Sequence, residues 1–159
     1  MTTHVDIRDA QPADRPHILE AVHELLRELT GDQDRQVPGM GTALDKILTP
    51  GYPGGGVLVA TVPHQPGIVG LLSWSRITAL RTGGDYIAIE ELWADPRSRS
   101  QRVGSLLIEG LRERARKEGL TRLEVGLPRP AFPGSARTQR FYLGQGFREL
   151  GPRMTLEVD

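Results

Sequence analysis

The sequence predicts an α/β fold of the α+β kind, a mixed sheet with helices on both faces. Three observations lead there. The element order reads βαα, βββ, α, β, α, β, which is neither the alternation of a doubly wound parallel sheet nor an all-β order. The three strand-like runs in the middle are joined by short turns, Pro63–Gly67 and Leu80–Asp85, so two adjacent antiparallel hairpins are expected. With 159 residues, 38% hydrophobic and 25% charged, the chain has the make-up of a soluble globular protein and can bury a core without staples. Residues 1–159 are read as a single domain.

Each element has its own signal. Val5–Arg8 alternates and reads as a first strand. Pro12 and Asp14 open a helix marked by Ile18, Leu19, Val22, Leu25, Leu26 and Leu29 and stopped by Gly31. A polar loop leads to a short helix, Thr42–Leu48. The Gly- and Pro-rich run 50–56 breaks the pattern, and strands follow at Val57–Val62, Ile68–Ile77 and Tyr86–Ala94. After a polar loop, Val103, Leu106, Leu107 and Leu111 form one side of a helix whose basic last turn suits its dipole; Gly119 ends it. Leu120–Leu127 is the next strand, Pro128–Gly134 a Pro-rich insertion, Ser135–Gly144 a short helix, and Met154–Val158 a last strand.

Composition removes several functions. Twenty basic and twenty acidic side chains cancel, which argues against a nucleic-acid or anionic-membrane partner. The absence of cysteine excludes disulfides, thiolate metal sites and a cysteine nucleophile. His4, His17, His23 and His64 have no metal-ligand spacing, so no metal is expected. No signal-peptide pattern opens the chain and no run approaches ~18 apolar residues, which leaves the cytoplasm as the expected location.

The most informative segment runs from Ile89 to Leu107, where a strand ends, a tight polar loop follows and a helix begins. Such a loop aims free backbone N–H groups at one point, and the helix dipole adds about half a positive charge, which suits a pyrophosphate. It is neither a Walker A loop nor the dinucleotide fingerprint, since the Gly-Lys-Ser/Thr and the glycine spacing are missing.

Arg99-Ser100-Gln101-Arg102-Val103-Gly104 resembles the Arg/Gln-x-x-Gly-x-Gly/Ala loop of the GCN5-related N-acetyltransferases (GNAT), with Arg102 in place of the middle glycine. Phe141-Tyr142-Leu143-Gly144-Gln145-Gly146-Phe147 is similar to that family's Tyr-x-x-x-Gly-Phe ending, and Ile7–Ala10 with Asp14 to its opening. The resemblance covers nearly the whole chain in the right order. It implies a mostly antiparallel sheet of about seven strands and an acetyl-CoA-dependent N-acetyltransferase acting on a primary amine of a small molecule or peptide. A non-catalytic acetyl-CoA-binding domain on the same scaffold is the alternative, motivated by Arg102, Ser135 and the lack of an obvious base.

The resemblance also implies roles. Leu92, Trp93 and Ala94 would pair through their backbone with the pantetheine arm, and an N–H near Ala94 would polarise the thioester carbonyl. Arg99, Ser100, Gln101, Arg102, Val103, Gly104 and Ser105 would cradle the pyrophosphate. Ser135 stands where many members carry an asparagine that contacts the cofactor. Tyr142 would protonate the departing thiolate, as a phenol of pKa ~10 stays protonated at neutral pH. The base would be Glu124 or Glu91. Alternation sends Glu90 and Glu91 to opposite faces of the sheet. The loop 32–35 and Phe132 would border the acceptor, and a homodimer is compatible with the family.

Overall fold

The computed structural model describes residues 4–158, with the backbone alone for residues 99–101. Its strands are β1 (Asp6–Asp9), β2 (Gly55–Thr61), β3 (Gly70–Ala79), β4 (Gly84–Ala94) and β5 (Leu123–Val125). Its helices are α1 (Arg15–Thr30), α2 (Met40–Ile47), α3 (Val103–Lys117) and α4 (Ser135–Gly144). The strands form one sheet in the order β1-β2-β3-β4-β5. The first four run antiparallel, and β5 lies parallel to β4. The mixed sheet and both central hairpins are therefore as expected.

The strand count is five among the described residues, not about seven. The expected strand at Met154–Val158 does not form: Met154 is 98%, Leu156 86% and Val158 90% exposed. Its period-two pattern mimics a half-buried strand, but among the described residues no neighbouring strand completes its hydrogen bonds and no face covers its apolar side. The run Leu120–Leu127 keeps only Leu123–Val125 as strand. Gly126, Pro128 and Pro130 follow at once, and proline cannot donate to a ladder.

Each face of the sheet carries a core of its own. On one, Leu58, Leu72, Ile87 and Ile89 pack with Val103, Leu107, Ile108 and Leu111 of α3. On the other, Val57, Val59, Leu71 and Trp93 pack with Ile18 and Ala21 of α1 and Leu44 of α2. Alternation along each strand feeds both faces, which is why these strands read as near-continuous apolar runs. Among the described residues no helix is long and apolar enough to cross a membrane.

Candidate active site

Two irregularities of β4 make the site. The first is a bulge. Ser73 pairs with Glu91 but the next residue, Trp74, pairs with Ile89, so Glu90 is an extra residue with no partner in β3. The extra residue reverses the phase of the strand. Ile87 and Ile89 pack toward α3, and so do Leu92 and Ala94, whereas Trp93 packs toward α1. Glu91, paired with Ser73 and two residues from Trp93, therefore takes the α1 face.

The second irregularity is a parting. β5 pairs with β4 only from Ile87 to Ile89. Beyond that point the edge of β4 opposite β3 has no strand beside it among the described residues, and Leu92, Trp93 and Ala94 lie on this open edge. The Asp95 N–H is already donated to the Val69 carbonyl at 2.8 Å, so a donor to a carbonyl here must come from the edge itself.

The chain then passes through a 3₁₀ turn, Pro96–Gln101, into α3. Asp95 shapes the entry: its buried carboxylate accepts the Arg97 N–H at 3.0 Å and the Arg97 guanidinium at 2.9 Å. Arg102 caps α3 in the left-handed region, at φ 60° and ψ 33°, with no side-chain cap on the helix. That conformation costs a non-glycine residue roughly 1 kcal/mol or more. It is the physical reason a glycine suits this position, and here the chain carries arginine with the strain. The first N–H groups of α3 are left without a side-chain acceptor among the described residues, at the positive end of a 15-residue helix. A diphosphate fits such a terminus. Arg102 is exposed and Val103 fully buried, so these two can contribute main-chain groups and one exposed guanidinium. The side chains of Arg99, Ser100 and Gln101 lie outside the described residues.

α4 is stitched to this turn. A Cβ on Gly104 would come within 3.1 Å of the Phe141 ring, so the glycine is what lets α4 lie against the first turn of α3. Gln145 donates to Ser105 Oγ at 2.9 Å, and Arg112 donates to the Gln145 carbonyl at 2.9 Å. Tyr142 is buried edge-on between Phe141 and Phe147, with ring centroids 5.2 and 5.3 Å away. Burial raises its pKa above the ordinary phenol range. Its hydroxyl makes no hydrogen bond among the described residues and is not sealed from solvent.

The two candidate carboxylates differ sharply. Glu91 accepts a hydrogen bond from the Ser73 hydroxyl at 2.5 Å. Burial raises its pKa, the Ser73 bond opposes the rise, and the charge of Glu90 adds to it. Glu124 stands opposite Ala88 on β5 and takes 2.6 Å and 3.3 Å contacts from Arg122 and Arg81. Burial pushes its pKa up, but the two arginines prevail and the net shift is downward.

The sequence profile of the acetyltransferase (GNAT) family matches residues 19–147. The chain belongs to the GNAT acetyltransferase family. Three solved structures share its fold. A possible acetyltransferase from Clostridium difficile 630 superposes with TM-score 0.80 at 15% identity, covering 98% of this chain and 97% of that one. An aminoglycoside N-acetyltransferase in complex with CoA gives 0.75 at 16%, covering 99% and 97%. Glucosamine-6-phosphate N-acetyltransferase from Arabidopsis thaliana gives 0.73 at 17%, covering 98% and 99%. No curated protein sequence matches the chain.

In this GNAT chain the fold brings some of the expected residues together. Leu92, Ala94, Val103 and Tyr142 share one core cluster. Trp93 is on the open edge by its backbone, but its ring is buried against α1, and its Nε1 has no partner among the described residues. Ser135 is the first residue of α4, and the start of that helix lies against α1: a Cβ on its neighbour Gly134 would touch Leu29 at 3.0 Å. Phe132 is stacked by Arg129 at 5.9 Å. Sequence reasoning passed over Asp95 and Ser73. The Asp-Pro pair was a turn signal for the first; a lone serine inside Leu71-Leu72-Ser73-Trp74 was the only sign of the second. Among the described residues no cluster of His, Asp or Glu is placed to hold a metal.

Proposed function

We propose that this chain transfers the acetyl group of acetyl-CoA directly to a primary amine of a small molecule or peptide. The observation that carries the reading is the parting of β4 from β5 next to the uncapped start of α3. An open strand edge suits an amide-bearing arm, and free helix N–H groups suit a diphosphate, in the order in which CoA offers them. The thioester supplies the acyl group; the residues supply binding and proton transfer. Main-chain groups of Arg102 to Ser105, with residues 99–101 before them, bind the diphosphate, and the edge Leu92–Ala94 orients the arm.

Glu91 takes the proton from the acceptor's ammonium. Its raised pKa keeps it basic, and it lies on the α1 face of the sheet. Glu124, the other candidate, is a poorer base because two arginines hold it ionised. Tyr142 holds the proton that the departing sulfur needs; burial keeps the phenol protonated across the neutral range. A cavity of about 510 Å³ opens between α1, Gln33 and Pro96, lined by Glu24, Arg27 and Glu28, the last paired with Arg137 at 2.6 Å. The expectation of an acceptor beside residues 32–35 is consistent with it.

Thiol release measured over a panel of amines, amino sugars, amino acids and peptides tests the reading, with calorimetry for CoA. Binding of CoA and release of thiol with at least one amine support it; no binding at millimolar CoA overturns it. Tyr142→Phe is expected to lower kcat by about a hundredfold with CoA affinity within a few-fold of wild type. Equal losses in both would make Tyr142 a packing residue.

A further inference from the structure

The bulge in β4 creates a problem that one side chain solves. The extra residue, Glu90, interrupts the register next to the Ser73–Glu91 pair, where the backbone hydrogen bonds of the ladder are disturbed and the Glu91 N–H turns to a side chain. It donates to Ser73 Oγ at 3.1 Å. The same hydroxyl gives its only proton to Glu91 Oε1 at 2.5 Å. Ser73 is 6% exposed and sits between Leu72 and Trp74, whose side chains point to the other face. It is thus a buried hydroxyl whose two hydrogen bonds both end on one residue, the main chain and the carboxylate of Glu91. Oε1 is occupied by the serine, and Oε2 has no partner among the described residues.

We infer that Ser73 is the positioning residue for Glu91, holding the bulge in its reversed phase and presenting Oε2 as the atom that accepts the proton. The inference rests on the proposed role of Glu91. Without the hydroxyl, the Glu91 N–H loses its acceptor and the carboxylate loses the bond that fixes its rotamer. The serine also stabilises the ionised form, since its O–H donates to Oε1. The charged group acting on the carboxylate is Glu90, next in the strand. The helices packed over this face bring Ile18, Ala21 and Leu44, and α1 also carries His17, Glu20 and Glu24 to the pocket beside Trp93, Asp95 and Arg97. Glu124 of β5 is neutralised by its arginines. In the acceptor step the N–H⁺ bond of the ammonium breaks and an O–H bond forms at Oε2. The Ser73 proton stays where it is.

The test reads the titration of the Glu91 carboxyl by carbon-detected NMR, assigned with Glu91→Gln, in the full chain. Ser73→Ala is expected to raise its midpoint by about one pH unit, which is tenfold in the ionised fraction below it. Ser73→Thr, which keeps the hydroxyl, is expected to return the wild-type midpoint; Ser73→Val, matched to threonine in size, is expected to behave as alanine. An unmoved midpoint in the alanine variant, or equal midpoints for valine and threonine, overturns the inference. Should alanine fail to fold, the threonine–valine pair decides alone. These titrations need no substrate, so they stand even where thiol release fails. Where thiol release succeeds, the acid limb of kcat/KM is expected to move with the midpoint. A uniform loss of rate at every pH, with the limb unmoved, would make Ser73 merely structural and overturn the inference.

Discussion

Glu91 and Glu124 stand on neighbouring strands, yet the fold gives them opposite chemistry. Glu91 is set by a bulge into an apolar face, with one serine for company and a raised pKa. Glu124 is met by two arginines, one from its own strand's approach and one from the β3–β4 turn, and its pKa is lowered. The contrast teaches that a carboxylate's usefulness as a base depends on what surrounds it. A triplet such as Leu-Glu-Val carries no record of those neighbours.

The largest effect that sharpens this contrast is catalytic. Glu91→Gln is expected to lower kcat/KM by about 10²–10⁴ and to remove the acid limb of its pH profile. In wild type that limb should lie above the ordinary glutamate pKa, with activity falling as pH drops through it. Glu124→Gln is expected to cost less than about tenfold and leave the limb where it was; a limb that vanished instead would reverse the two roles. Steady-state kinetics from pH 5 to 9 would measure both.

A smaller effect concerns stability. The folded pKa of Glu91 is raised, so ionising it in place is a penalty. The penalty is absent below the ordinary glutamate pKa, grows as pH rises toward the raised value, and is complete above it. Glu91→Gln is therefore expected to raise Tm at pH 8 and to gain less, or nothing, at pH 4. A variant no more stable than wild type at pH 8 would place the carboxylate in a better-solvated setting than this one.

The smallest effect lies at the start of α3. Arg102→Gly removes the left-handed strain but adds unfolded-state entropy, so a net gain of no more than about 1 kcal/mol is expected, near 2–4 °C in Tm. Calorimetry with CoA would then report whether the lost guanidinium outweighs the relaxed turn. A lower Tm would mean that Arg102 makes a stabilising contact which outweighs its strain.

Much of this was legible in the residues. Gly31 at φ 75° ends α1 as its position after Leu29 and Thr30 predicts. The Phe-Tyr…Gly-Phe run places Tyr142 on a short helix closed by Gly146 at φ 97°. Helix periodicity and turn residues are local, so they survive in the sequence. The bulge did not show itself, because it is a relation between β3 and β4. Simple alternation misses the reversal that turns Glu91 toward α1. The last strand failed for the same reason. Met154, Leu156 and Val158 alternate correctly, but a strand exists only where another edge completes it.

By itself, then, the sequence determined the order of helices and strands as far as the tyrosine helix, and the turn into α3, because each rests on neighbours within a few positions along the chain. Tertiary structure alone decided which glutamate is desolvated, which serine holds it and where β5 leaves β4. Those depend on groups eighteen residues or more apart, as Ser73 and Glu91 are, and on the low dielectric that only packing creates.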